Sequence, residues 1–269
     1  MSRIRILITH NLRLPNIMVS NEIVNSPDYN TLFLNLYEEL EPHVKELSRG
    51  RIEYEDFTRK ISSSRAALQP VSSWLYPLEP IIRAIRKIGR RGVNVYCYKD
   101  YTYEKRIHEI TTEITILTAK SKIFGKINAE EWRRKIRERA LLVDEALKVE
   151  ARKIHVKSMG LSICISNPTG YRLSEVLSRM GDEVQVEEVM GNYYPTPLEE
   201  MEIKLRNMEL SDNEIREYVK EHLEYVENYV LTSENIDQAY YKWLYDKHPE
   251  LRDIISQYEI EILGKLIKK

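Results

Sequence analysis

The sequence predicts an α/β fold: a mostly parallel sheet flanked by helices, with a C-terminal helical extension. Three observations predict it. Short apolar, β-branched runs alternate with longer amphipathic stretches, the order expected of strand–helix–strand crossovers. Four such runs each stop at a polar or ionisable residue: 4–8 at His10, 17–19 at Glu22, 93–98 at Asp100 and 161–165 at Asn167. Beyond Tyr193-Tyr-Pro-Thr-Pro197 the chain turns acidic and tyrosine-rich, which predicts an α/β domain over 1–196 and a helical region over 197–269.

Residues 3–8 begin with alternation and pass into continuous apolar side chains, the pattern of a strand buried on both faces. Pro15-Asn16 marks a turn before 17–19, read as the second strand. Ser26-Pro27-Asp28 offers a helix start with proline at the first helical position. Leu32, Leu34, Leu36, Leu40, Val44 and Leu47 follow at largely helical spacing, up to Gly50. A short second helix suits 52–65. From Pro77, Ile81, Ile82, Ile85 and Ile88 form an apolar stripe backed by arginines; Gly92 stops that helix and 93–98 form a strand, half of a parallel crossover.

Residues 103–123 read as a helix, although the Thr- and Ile-rich stretch 111–116 equally suits an extended chain. Gly125 breaks it. Asn128 caps a long charged helix from Ala129 to about Lys153, with Trp132, Ile136, Ala140, Val143 and Leu147 along one face. Residues 154–156 and 161–165 are strand candidates, Asn167-Pro-Thr-Gly170 turns into a helix over 171–180, and 184–186 make the last strand. Three helices complete the chain, the second opening on the capping pattern Ser211-Asp-Asn-Glu214 and the third after Ser233.

Residues 1–157 carry 29 basic and 20 acidic side chains against 12 and 22 in 158–269, so the near-neutral total hides a polarised chain. Such asymmetry suits an anionic partner for the first part, two parts that face each other, or an ion-pair-rich surface. The charged fraction of 31% and the scarcity of glutamine suggest a thermophile. Cys97 and Cys164 lie inside apolar runs without CxxC spacing and read as small core residues, which favours a cytoplasmic location. No run approaches the roughly 18 apolar residues of a membrane span, so no membrane partner is expected.

Parallel strands would bring the four polar ends to one sheet edge, where open α/β sheets bind ligands. His10 beside Glu22 would make a proton carrier or a pair of ligands for a divalent metal, with Asp100 as the orienting acid. The Asn167, Thr169 and Gly170 turn leads into a helix N-terminus and would hold a small anionic group. Arg90-Arg91 and the run Arg133-Arg134-Lys135 with Arg137 and Arg139 raise nucleic acid as a partner, but Glu130 and Glu138 alternate with the second set, which favours a solvated face. No phosphate loop, serine elbow, zinc spacing or dinucleotide fingerprint is present.

The order of a strand ending in His10, one ending in Glu22, a helix, a strand ending in Asp100, and a long charged helix containing Arg137-Glu138-Arg139 resembles the ChaN, TraB and erythromycin-esterase-like superfamily over residues 3–190. In that superfamily a first-strand histidine motif and a later Gly-x-x-His carry hydrolytic or metal-binding roles. The resemblance implies that Thr9-His10 matches the first histidine and Glu22 the acid after the second strand. No glycine precedes His10 at the family spacing, and Asn167-Pro-Thr-Gly170 stands where the second histidine motif would fall. The expected function is a metal-assisted or acid/base hydrolase. The alternatives are a non-catalytic ligand-binding or regulatory protein that forms a homodimer through its Tyr-rich C-terminal helices, and a nucleic-acid-associated factor.

Overall fold

Strands β1 (Arg3–Ile8), β2 (Thr31–Tyr37), β3 (Asn94–Lys99), β4 (Leu161–Ser166) and β5 (Glu183–Glu188) form one all-parallel sheet in the spatial order β3-β2-β4-β1-β5. The structure is a computed structural model and describes residues 2–26, 28–64, 68, 70–191 and 193–252; Pro27 of the expected helix start lies outside them, as does the chain after 252. The helices are α1 (Arg13–Asn25), α2 (Glu41–Ser48), α3 (Tyr54–Ser62), α4 (Val71–Gly89), α5 (Tyr101–Phe124), α6 (Ala129–Lys157), α7 (Gly170–Arg179), α8 (Pro197–Asn207), α9 (Asp212–Tyr225) and α10 (Ile236–Lys247). None of them is long and apolar enough to cross a membrane.

The chain divides into two compact units, one of residues 1–109 and 141–191, the other of 110–140 and 192–269. The helices after Pro197 therefore share a unit with parts of α5 and α6. In the first unit, alternate side chains enter two cores, one on each face of the sheet. Leu7, Leu32, Leu34, Cys97, Ile163 and Ile165 meet α1 to α4. Ile4, Ile6, Ile8, Phe33, Tyr98 and Cys164 meet Leu147, Ala151 and Ile154 of α6 and Leu173 and Leu177 of α7. This period-two partition is what two-sided burial of a parallel sheet requires.

Three local expectations are corrected. Residues 17–19 are helical, within α1: Val19 and Ile23, one turn apart, are fully buried in the core on that side of the sheet. Pro15 costs nothing there, because N–H groups of a first turn have no intrahelical acceptor. The strand that follows is β2, which had read as the start of a helix; Leu32, Leu34 and Leu36 recur every second residue and face one core while Phe33 faces the other. Residues 154–156 belong to the last turns of α6, where Ile154 is fully buried and Val156 is exposed.

Helix α4 contains Pro77 and Pro80. Pro80 has no N–H for the carbonyl of Tyr76, four residues back. Arg13 replaces that donor: its Nη1 donates to the Tyr76 carbonyl at 2.9 Å and to Glu79 at 2.7 Å, joining α1 to α4 where proline breaks the ladder. Near its other end, α4 touches α2 so closely that a Cβ on Gly89 would lie 2.1 Å from the Ser48 carbonyl oxygen.

The second unit packs Trp132, Met201, Leu205, Ile215, Val219, Tyr225, Tyr240 and Trp243 away from solvent. Tyr225, Tyr229 and Tyr240 belong to its own core: Tyr193 stacks on Tyr240 at 5.3 Å, and Tyr225 meets Trp243 edge-on at 5.5 Å. Two capping boxes form, at Thr196 with Glu199 and at Ser211 with Glu214. The Ser211 pattern is the one seen in the sequence.

Candidate functional site

The carboxyl ends of β1, β4 and β5 lie side by side. β1 and β4 are neighbours whose following helices, α1 and α7, cover opposite faces, the arrangement that opens a crevice at a sheet edge. Strand pairing carries past the last ladder residues, with Thr9 N–H donating to the Ser166 carbonyl at 2.8 Å and Val189 N–H to the Ile8 carbonyl at 3.2 Å. His10 is thereby buried at the edge, its side chain 4% exposed.

Its partner is Glu188, the last residue of β5. His10 Nε2 lies 3.2 Å from Glu188 Oε1, and the exposed Tyr171 hydroxyl, from the first turn of α7, donates to Glu188 Oε2 at 2.9 Å. Burial and the adjacent Glu188 carboxylate both push the Tyr171 phenol above its ordinary range. Asn16 holds the loop below by donating to the carbonyls of His10 and Leu12, at 3.0 and 2.6 Å. The result is a histidine, a carboxylate and a phenol in series, drawn from the segment after β1, the end of β5 and the start of α7.

Glu22 is not part of this group. It sits near the C-terminal end of α1, over two turns from Arg13, where it accepts from Arg5 Nη1 at 2.8 Å and from Ser26 at 3.0 Å. Those bonds, Arg5 first, hold its carboxyl below the usual range. Asp100 follows β3, which β2 and β4 separate from β1, so three strand spacings, about 14 Å, lie between its edge position and that of His10. Asp100 caps α5 by accepting from Thr102 and Tyr103 N–H at 3.0 and 3.4 Å, and it receives Lys153 at 3.2 Å. The expected His10, Glu22, Asp100 constellation does not assemble, because it rested on a second strand that is a helix.

The residues His10 and Glu22 therefore do not fit a shared metal, and among the described residues no group of three or more His, Cys, Asp or Glu could hold one. At the turn after β4, Asn167 Oδ1 accepts both the N–H and the hydroxyl of Thr169, at 3.0 and 2.5 Å, and the Asn167 carbonyl accepts Gly170 N–H at 2.8 Å. The donors expected to receive an anion are engaged within the turn itself.

Two further clusters escaped the sequence. At the end of β3, buried Lys99 lies 2.9 Å from Glu104 and 3.2 Å from Glu150, whose side chain is fully buried. Burial opposes the ammonium, but the two carboxylates outweigh it and hold Lys99 above its ordinary range. At the opposite sheet edge His155 Nδ1 meets the buried Asp182 carboxylate at 2.8 Å, and Ser2 donates to the other Asp182 oxygen at 2.5 Å. His155 lies in the last turns of α6, in the stretch 154–156 that the sequence pattern offered as a strand.

The basic run of α6 is neutralised locally. Within the second unit Arg133 pairs with Asp212, Lys135 with Glu113 and Glu138, Arg137 with Glu209, and Arg139 with Glu202. A nucleic-acid surface needs cations free to replace counterions along phosphates, and these are already matched. No family model, no curated protein and no solved structure matches this chain.

Proposed function

We propose that the chain is an acid–base hydrolase of small ester- or amide-type substrates, with its reaction centre at His10 and Glu188 on the carboxyl edge of the sheet. The observation that carries this reading is the 3.2 Å contact between the His10 imidazole and the Glu188 carboxylate, with Tyr171 fixing the second carboxylate oxygen. A carboxylate held against Nε2 orients the imidazole, and the ring would serve as the proton carrier for attacking water. Glu188 then stabilises the imidazolium formed in that step, and Tyr171 keeps the carboxylate aimed at the ring. The resemblance to the erythromycin-esterase-like superfamily supports hydrolysis as the reaction class, although its second histidine is absent here. Of the three expected groups only His10 is retained, and Glu188 takes the place given to Glu22.

A non-catalytic ligand-binding or regulatory protein is the second reading. It is favoured by the closed hydrogen bonding of the Asn167 turn, which leaves the edge structurally complete without a ligand. A panel of chromogenic esters, amides and phosphoesters assayed against wild type, His10→Gln and Glu188→Gln separates them, with native mass spectrometry and elemental analysis reporting any co-purifying molecule or metal. Hydrolysis that falls by about 10²-fold or more in both variants, with folding retained, supports the acid–base pair. A ligand retained equally by wild type and a catalytically silent panel would leave the binding reading in its place.

A further inference from the structure

Beside the outer edge of β3, remote from His10, lies a cleft of about 200 Å³ lined by Lys45, Ser48, Arg49, Asn94, Val95 and Tyr96. Its side-chain charges are cationic. The exposed Arg49 guanidinium makes no ion pair or hydrogen bond with any described residue. Lys45 and Lys157 lie 5.1 and 5.0 Å from the centre of the Tyr96 ring. One carboxylate opposes them: Glu41 receives Lys45 at 2.5 Å, lies 3.6 Å from Lys157 and accepts the Cys97 N–H at 3.0 Å. Glu38 also reaches Lys157, at 3.5 Å, but is matched by Lys153 at 2.7 Å.

The backbone adds a second, independent sign. Asn94 N–H points inward to the Asn30 carbonyl, and Cys97 N–H points outward to Glu41. Alternation along β3 turns the Val95 N–H outward as well, into the cleft, where it has no acceptor among the described residues. As an edge strand β3 has no further strand among the described residues to take this N–H, so the cleft is offered a fixed backbone donor. A guanidinium with no carboxylate partner among the described residues and an edge-strand N–H, beside an ammonium that Glu41 already engages, surround one small space with donors suited to an anion. The volume is below the roughly 300–1,000 Å³ of sites that enclose whole organic ligands, and suits one compact head group.

We propose that this cleft is a binding site for the phosphate group of a small phosphate monoester. Arg49 supplies a planar pair of donors, Lys45 a point charge and Val95 a fixed amide. The test is titration of the ¹⁵N-labelled full chain with inorganic phosphate and with phenyl phosphate, at constant ionic strength, following the Val95 amide by NMR. A saturable downfield shift of Val95 is expected, weakened about tenfold in Arg49→Ala and in Lys45→Ala. His10→Gln should leave it unchanged, which separates this site from the proposed reaction centre, and Arg59→Ala on α3 controls for general charge. Shifts that never saturate, or that survive Arg49→Ala, would overturn the proposal. So would binding of a single-stranded oligonucleotide at this patch with no response to either phosphate, which would assign the cations to a polymer backbone.

Discussion

Two buried ionisable residues set measurable stabilities. His222 is packed against Trp132, its Nε2 3.2 Å from the Thr118 hydroxyl, and burial together with the Arg139 charge holds it down to about 4. Its folded value lies below the unfolded one near 6.5, so the group is silent above that pH and destabilises as pH falls toward 4, when only the unfolded chain takes the proton. The expected loss is about 3 kcal/mol. Urea unfolding followed by tryptophan fluorescence at pH 7.5 and 4.5 should show His222→Phe losing less stability on acidification than wild type. Lys99 makes the complementary case. Lys99→Met strands the fully buried Glu150 and should cost about 3–5 kcal/mol, whereas Lys99→Met with Glu150→Leu should recover most of it. Equal stability of the single and double variants would mean that Glu150 is protonated or solvated rather than paired.

Among the elements, α4 shows how a sequence can break a local rule and repair it at a distance. Pro80 forfeits a helical hydrogen bond to Tyr76, and the repair comes from Arg13, 63 residues earlier. Arg13→Met should leave the Tyr76 carbonyl short of this donor and cost about 2 kcal/mol, read as a lower urea midpoint with an unchanged slope. Most elements were legible from residues 93 onward, since glycines, caps and apolar stripes agree there: β3, α5, β4, α7 and β5 lie where the pattern puts them. The errors cluster before residue 50. β-branched Ile17 and Val19 resembled a strand but serve a helix face, and the leucines of β2 satisfy period two and period 3.6 over so short a run that neighbours decide between them. The site inherits this error. His10 was found because polar residues at strand ends were sought, and the same criterion applied to β5 would have pointed to Glu188. Tyr171 carried no such signal, because its role depends on the turn geometry after β4.

At the scale of the whole molecule, composition foretold the abundance of ion pairs but not their partners. The basic half of α6 is balanced by acids from its own hairpin and from the C-terminal helices. The sheet order has a different kind of consequence. β1 and β2 are consecutive in the chain yet never touch, because β4 lies between them and pairs with both. During synthesis the first strand therefore emerges with no partner, and must wait until residue 166 has left the ribosome, roughly ten to thirty seconds at ordinary elongation rates. For that interval Ile4, Ile6 and Ile8 are exposed hydrophobic chain, so the nascent protein depends on β4 as the strand whose arrival joins two otherwise separate pieces of sheet.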